Sequence, residues 1–165
     1  MNQPIRILGI DPGLRRTGWG IIETQGNKMR HLASGVITPK TSGPLSERLQ
    51  TVFSELTTCI VTHAPDCAAI EGSFVSVNAG SAMKLGHARA AAMLAASNRG
   101  LDVAEYAPRT VKLALVGTGG ADKAQVAAMV AMLLPGTQTT GDEADALSLA
   151  ICHAHHAPRN LRSTG

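Results

Sequence analysis

The chain has 165 residues, of which 44% are hydrophobic and 16% charged. This length suits one domain with a sizeable core, and the composition excludes disorder over most of the chain. The formal net charge of +3 is too small to identify an anionic partner by itself. The three cysteines form no CxxC pair, which favours a reducing compartment. No apolar run approaches the roughly 18 residues of a membrane span, and the amino terminus lacks the pattern of a signal peptide. The chain is therefore expected to be soluble and cytoplasmic, without membrane contact.

Three strands open the chain in a pattern that predicts an antiparallel meander. The first is the β-branched run at residues 5–10, which stops at the turn signal Asp-Pro-Gly at 11–13. The second and third runs, at 19–24 and around 31–38, are separated by residues 25–28, which suit a hairpin turn.

Helices and strands then alternate. Apolar residues from Leu45 to Ile60 fall on one helical stripe after Pro44, and the short run Cys67–Ile70 predicts a buried strand that ends at Glu71. The remaining predicted elements are a helix at 78–98, a strand at 101–106, helices at 108–116, 121–134 and 142–156, and a loop at 117–120. Residues 1–157 are thus expected to form one domain, and residues 158–165 a flexible tail.

This element order predicts an α/β fold with a mixed five-stranded sheet, in which three antiparallel strands lead into parallel strands through helical crossovers. Ligand sites in such sheets lie at the ends of the strands. Asp11 and Glu71 both end strands, and the crossover would bring the fourth strand beside the first. The sequence therefore predicts that these two carboxylates lie together.

Asp142 and Asp145 are three residues apart at the start of the last helix, so both project from one face. Four clustered acids would repel each other strongly unless a cation bound them. Oxygen ligands without His or Cys favour Mg²⁺, with Mn²⁺ as the alternative, and the set suits phosphodiester hydrolysis with two ions per site. Taken singly, Asp11 fits ordinary turn chemistry, and the two helix acids fit capping.

Four motifs follow one another along the chain: GIDPG at 9–13 with TGWG at 17–20, AIE at 69–71 with Phe74, NAGSAMKLGHARA at 78–90, and DEADAL at 142–147. In this order they resemble the RuvC family of bacterial Holliday-junction resolvases over roughly residues 5–156. The resemblance implies an RNase H-like fold and a homodimer that makes paired Mg²⁺-dependent nicks in a four-way DNA junction. The family's catalytic acids fall on Asp11, Glu71, Asp142 and Asp145. One departure is Gly72, where many family members have Gln.

The resemblance also implies DNA-binding residues. The family's wedge aromatic falls on Phe74. The alternative interpretation is that Phe74 is only a partly buried aromatic of the loop. Basic family positions match Lys112 and Lys123, which could contact phosphate. Lys84 and Arg89 are further DNA-binding candidates, although both also suit a solvated helix face. A branch-migration motor complex is a candidate partner besides the junction and the second subunit.

The sequence also allows other interpretations. If four of the 12 acidic residues hold metal, the rest of the chain has 15 basic and eight acidic residues. This positive surplus suits binding to nucleic acid, and the alternative substrates are RNA or another branched nucleic acid. The GIDPG turn also resembles actin-like ATPases and sugar kinases, which need two such domains. A catalytically silent DNA-binding dimer would be expected to have lost one of the acids. The loop at 117–120 lacks the ending of a phosphate loop, and the histidines at 153, 155 and 156 suit the dipole of a helix end.

Overall fold

A computed structural model describes residues 3–72, 78–137 and 141–157. Its sheet has five strands in the order β3-β2-β1-β4-β5, antiparallel among the first three and parallel from β1 onwards. The elements are β1 Ile5–Asp11, β2 Thr17–Gln25, β3 Lys28–Ile37, α1 Leu45–His63, β4 Cys67–Glu71, α2 Ala79–Ser97, β5 Asp102–Tyr106, α3 Pro108–Val116, α4 Lys123–Leu133 and α5 Asp142–His156. This confirms the predicted mixed sheet and its element order.

Most boundaries lie within two residues of their predictions, and the differences have local causes. Helix α4 begins at Lys123 rather than at residue 121, because Asp122 forms a reciprocal capping box with Gln125. Helix α2 begins after Asn78, whose side chain accepts a hydrogen bond from the Ser81 amide. The hairpin turn contains Gly26, with φ of 62°, as the β2–β3 connection requires.

The alternation of side chains along the strands divides the core between the two faces of the sheet. Leu8 and Ile70 face helices α1 and α2, whereas Ile7 and Ala69 face helices α3, α4 and α5. All of these strand residues are buried, so the central strands are covered on both sides. Cys59, Cys67 and Cys152 are buried free thiols that pack among the apolar residues of the core.

Helix α5 lies directly against the centre of the sheet because glycines stand at the contact. A Cβ atom at Gly9 would collide with the backbone carbonyl of Ala146, and one at Gly18 with that of Asp142. The first turn of α5 is also tied to the edge strand, since the Ser34 hydroxyl donates to Glu143 at 2.7 Å. The acidic start of α5 is thereby fixed at the carboxyl end of β1.

Across residues 3–72, 78–137 and 141–157, no helix combines the length and apolar character that a membrane crossing needs. The predicted tail at 158–165 lies outside the described residues, and so does Phe74.

Candidate active site

Three predicted acids form one cluster at the carboxyl end of the sheet. Asp11 ends β1, while Asp142 and Asp145 lie on the first turn of α5. One carboxylate oxygen from each lies within 4.8 Å of the other two, and all three residues are partly buried. Oxygen atoms at this spacing can ligate a single cation, and a ligand set of carboxylates alone fits a hard divalent ion.

Glu71 joins this cluster from the other side. It ends β4, which pairs with β1 in parallel, and it lines a cleft of about 230 Å³ together with Asp11 and Asp145. Asp11 and Asp145 therefore belong both to the three-acid group and to the cleft. The structure thus brings all four predicted acids to one place, with Glu71 and Asp142 flanking the shared pair.

Burial and mutual repulsion act on the two strand-end acids. Burial is the main cause that raises the pKa of Asp11 to about 7, and the charges of Asp145, Glu71 and Asp142 add to it. Burial, followed by the charge of Asp145, raises the pKa of Glu71. These raised pKa values mean that ionising the acids of the cluster costs free energy. A bound cation would remove this cost.

Basic side chains partly offset this charge. The Lys123 ammonium lies 3.3 Å from a carboxylate oxygen of Asp145, and this carboxylate raises the pKa of Lys123. Lys112 and Lys123 both line the cleft, where they can contact a bound phosphate. The guanidinium of Arg16 lies 2.5 Å from Asp142.

The other two basic candidates occupy different settings on α2. Lys84 is exposed. Arg89 lies largely within the protein, with a side chain 19% exposed; it donates to the carbonyl of Glu71 at 2.8 Å and forms an ion pair with Glu105 at 2.6 Å. Arg89 thereby holds the strand end that carries Glu71.

Two of the three histidines at the end of α5, His153 and His156, have partners within the fold. His153 is buried, and its Nδ1 lies 2.8 Å from the Tyr106 hydroxyl. Nδ1 of His156 lies 2.9 Å from the Cys152 carbonyl oxygen. These contacts tie the end of α5 to β5 and to its own last turn.

Comparison with known proteins identifies the family. The family model described as crossover junction endodeoxyribonuclease RuvC matches residues 7–153. The chain is 62% identical over 156 residues to the crossover junction endodeoxyribonuclease RuvC of Maricaulis maris, covering 94% of each chain. The chain belongs to the RuvC family. It is also 54% identical over 160 residues to the RuvC of Caulobacter vibrioides, covering 96% of this chain and 95% of the relative.

Solved RuvC structures agree with this assignment. Thermus thermophilus RuvC in complex with a Holliday junction substrate matches with a TM-score of 0.87 at 32% identity, covering 93% of this chain and 94% of the other. The yeast mitochondrial Holliday junction resolvase Ydc2 matches with a TM-score of 0.66 at 13% identity, covering 92% and 79%, and so shares the fold alone. The RNase H-like architecture expected from the sequence is thus confirmed.

Some contacts of this RuvC-family site could not be found in the sequence. Arg16 follows a turn motif, and only its nearness to Asp11 along the chain hints at the site. The partnership of Arg89 with Glu71 and Glu105 joins residues from three elements. Gly72 also has a local reason, because a Cβ there would lie 2.9 Å from Cβ of Glu105 on the neighbouring strand.

Proposed function

We propose that this chain is a structure-selective endonuclease that resolves four-way DNA junctions, with Asp11, Glu71, Asp142 and Asp145 as its catalytic acids. The observation that carries the proposal is the convergence of these acids, from two strand ends and one helix, in a RuvC-family chain. Family membership supports the substrate, and the acid cluster supports hydrolysis of phosphodiesters. The role lies in DNA recombination and repair.

The same four residues would hold the metal. The donor set fits Mg²⁺ because it consists of closely spaced carboxylates, and Mn²⁺ takes similar ligands. We propose two ions per site. Asp11 and Asp145 can ligate one ion together with Asp142 and a second ion together with Glu71. When bound, such ions activate water and stabilise the charge that develops on the phosphate.

The protein's own basic residues have a separate task in this proposal. Lys112 and Lys123 line the cleft beside Glu71 and would bind the phosphate whose bond is cut. Lys84 would bind backbone phosphate farther from the acids. Phe74 keeps the wedge role that the family resemblance implies, in which it stacks on a displaced base.

A homodimer is the proposed working form. The exposed side of α2 presents Met83 and Leu94, which are 65% and 59% exposed, and its small residues allow close approach of a second helix. A two-fold dimer would present two identical sites to two strands of matching geometry, and so permit paired nicks. A branch-migration motor complex and a cytoplasmic location stay predictions from the family resemblance and the sequence.

The test compares substrates. The purified protein is incubated with Mg²⁺ and a synthetic four-way DNA junction, a linear duplex of the same sequence, or a four-way RNA junction. The proposal expects paired nicks in the DNA junction and little cutting of the duplex. Equal cutting of junction and duplex, or none of either, would contradict it. Preferential cutting of the RNA junction would support the alternative of an RNA nuclease.

A further inference from the structure

The loop between β1 and β2 places a guanidinium against one of the candidate metal ligands. Nε of Arg16 lies 2.5 Å from Oδ2 of Asp142, although the two residues are far apart in sequence. The Asp142 side chain is 31% exposed and the Arg16 side chain 59% exposed. Arg16 is thus in contact with the acid cluster while more than half of its side chain remains exposed to solvent.

This loop is held in place by buried contacts. Thr17 is fully buried, and its hydroxyl accepts from the Gly13 amide at 3.1 Å and donates to the Gly13 carbonyl at 2.8 Å. Arg48 of α1 donates to the carbonyl of Leu14 at 2.7 Å. Gly18, which follows Thr17, lies against the backbone of Asp142. The fold therefore sets the base of Arg16 beside Asp142, while its long side chain can still turn away.

The contact opposes the binding of a metal ion. Asp142 contributes one of the three oxygens that lie within 4.8 Å of one another. A guanidinium already paired with one oxygen of this carboxylate repels a divalent cation and competes with it for Asp142. The pair is exposed enough to be weak, so the exchange costs little.

We propose that Arg16 is an exchangeable counter-ion of Asp142, which neutralises this carboxylate in the metal-free protein, leaves it when a divalent cation binds, and then binds a backbone phosphate of the nucleic acid. The inference rests on the proposed nuclease function. Arginine suits both partners, because its planar fork of donors matches carboxylate and phosphate oxygens alike. Metal binding and DNA binding thereby favour each other. Arg16 is a positioning residue in this scheme and takes no part in the chemical step.

The first test measures metal affinity without any DNA. Mn²⁺ is titrated calorimetrically into metal-free wild type, Arg16→Gln and Arg15→Gln. Arg15 is the matched control, since it is an exposed arginine on the same loop, and its replacement removes the same charge without breaking an ion pair. Arg16→Gln is expected to bind Mn²⁺ about threefold or more tightly than wild type. The gain in Mn²⁺ affinity of Arg15→Gln should be less than half as large, and Arg16→Lys should bind Mn²⁺ about as tightly as wild type.

Unchanged or weaker Mn²⁺ binding by Arg16→Gln would overturn the counter-ion role. An equal gain in Arg15→Gln and Arg16→Gln would do so too, because it would show only the general charge of the loop. Circular dichroism of each variant confirms that the fold is kept.

The second test measures phosphate binding. Anisotropy of a labelled four-way junction is recorded in EDTA and in Mg²⁺, with Glu71→Gln as the background that stops cleavage. Adding Arg16→Gln is expected to weaken binding in Mg²⁺ by about threefold and to lower the salt slope by about one, with a smaller loss in EDTA. Equal losses in both buffers, or no loss, would overturn the exchange. If even wild type binds no junction, the proposed function and the phosphate step fail together, whereas the Mn²⁺ titration still decides the counter-ion step.

Discussion

Helices α5 and α2 are both rich in alanine, yet they meet the sheet in different ways. Helix α5 buries nine of its 15 residues, whereas α2 buries only five of its 19. The strands touch the α5 backbone at Gly9 and Gly18, while a Cβ at Gly86 of α2 would meet nothing within 4 Å. The exposed side of α2 carries Met83 and Leu94. Two of the four acids thus lie on the more deeply buried of these helices, and the helix left half uncovered is the one proposed to bind a second subunit.

The same substitution in the two regions should have opposite effects. Gly9→Ala forces a methyl group into the Ala146 carbonyl and is expected to cost about 3 kcal/mol or more of the free energy of unfolding. Gly86→Ala adds a methyl group in open space within a helix and should stabilise the fold by about 0.5 to 1 kcal/mol. Urea denaturation measures both. Losses of similar size in the two variants would remove the distinction between the helices.

The charge cluster at the start of α5 should make the metal-free protein sensitive to pH. The pKa of Asp11 is raised from 3.8 to about 7, so between these values the folded protein keeps a proton that the unfolded chain releases. Stability in EDTA is therefore expected to fall as the pH rises from about 4 to about 7. Asp11→Asn should flatten this dependence and gain about 2 kcal/mol at pH 8, after allowance for screening by solvent.

Asp102 provides the control for this prediction, because it is an exposed acid on β5 outside the cluster. Asp102→Asn should leave the pH dependence as in the wild type. A wild-type protein whose stability in EDTA rises steadily from pH 4 to 8 would show that burial and the neighbouring acids do not raise the pKa of Asp11 as described.

The exposed face of α2 can be tested by introducing a charge. Leu94→Glu should change folding stability by less than about 0.5 kcal/mol, but raise the dimer dissociation constant at least about tenfold, because the charge would be buried in the interface. Sedimentation equilibrium measures the shift towards the monomer mass of 17.1 kDa. The control is Met132→Glu on α4, where the side chain is 71% exposed. A monomeric wild type, or equal weakening by both variants, would contradict the proposed interface.

The local signals in the sequence predicted most of the fold. Turn residues, capping residues and the change of period after Pro44 marked the elements, and strand ends marked Asp11 and Glu71. What could not be predicted depends on contacts between distant segments: the pairing of Arg16 with Asp142, the approach of α5 to Gly9, and the contacts of Arg89. The predicted roles of the acids stay proposals, and the wedge residue lies outside the described part of the chain.

Arg89 ties helix α2 to the strand end that carries Glu71, so its replacement should have a small but informative effect. Loss of the hydrogen bond to the Glu71 carbonyl and of the pair with Glu105 lets the strand end shift. Arg89→Gln is therefore expected to lower kcat for junction cleavage about fivefold with little change in junction affinity. Anisotropy measures the junction affinity, and steady-state cleavage at saturating junction measures kcat. A loss of affinity with kcat unchanged would instead support the DNA contact that the family resemblance implies.

The acids at the sheet end are proposed above all to hold the metal ions that cut the phosphodiester. Glu71→Gln tests this role most directly, because this change removes a charge and keeps the shape of the side chain. Single-turnover cleavage of a four-way junction in Mg²⁺ should fall about 10²-fold or more, while junction affinity stays close to wild type, since binding depends on phosphate contacts elsewhere. Cleavage at near the wild-type rate would contradict the claim.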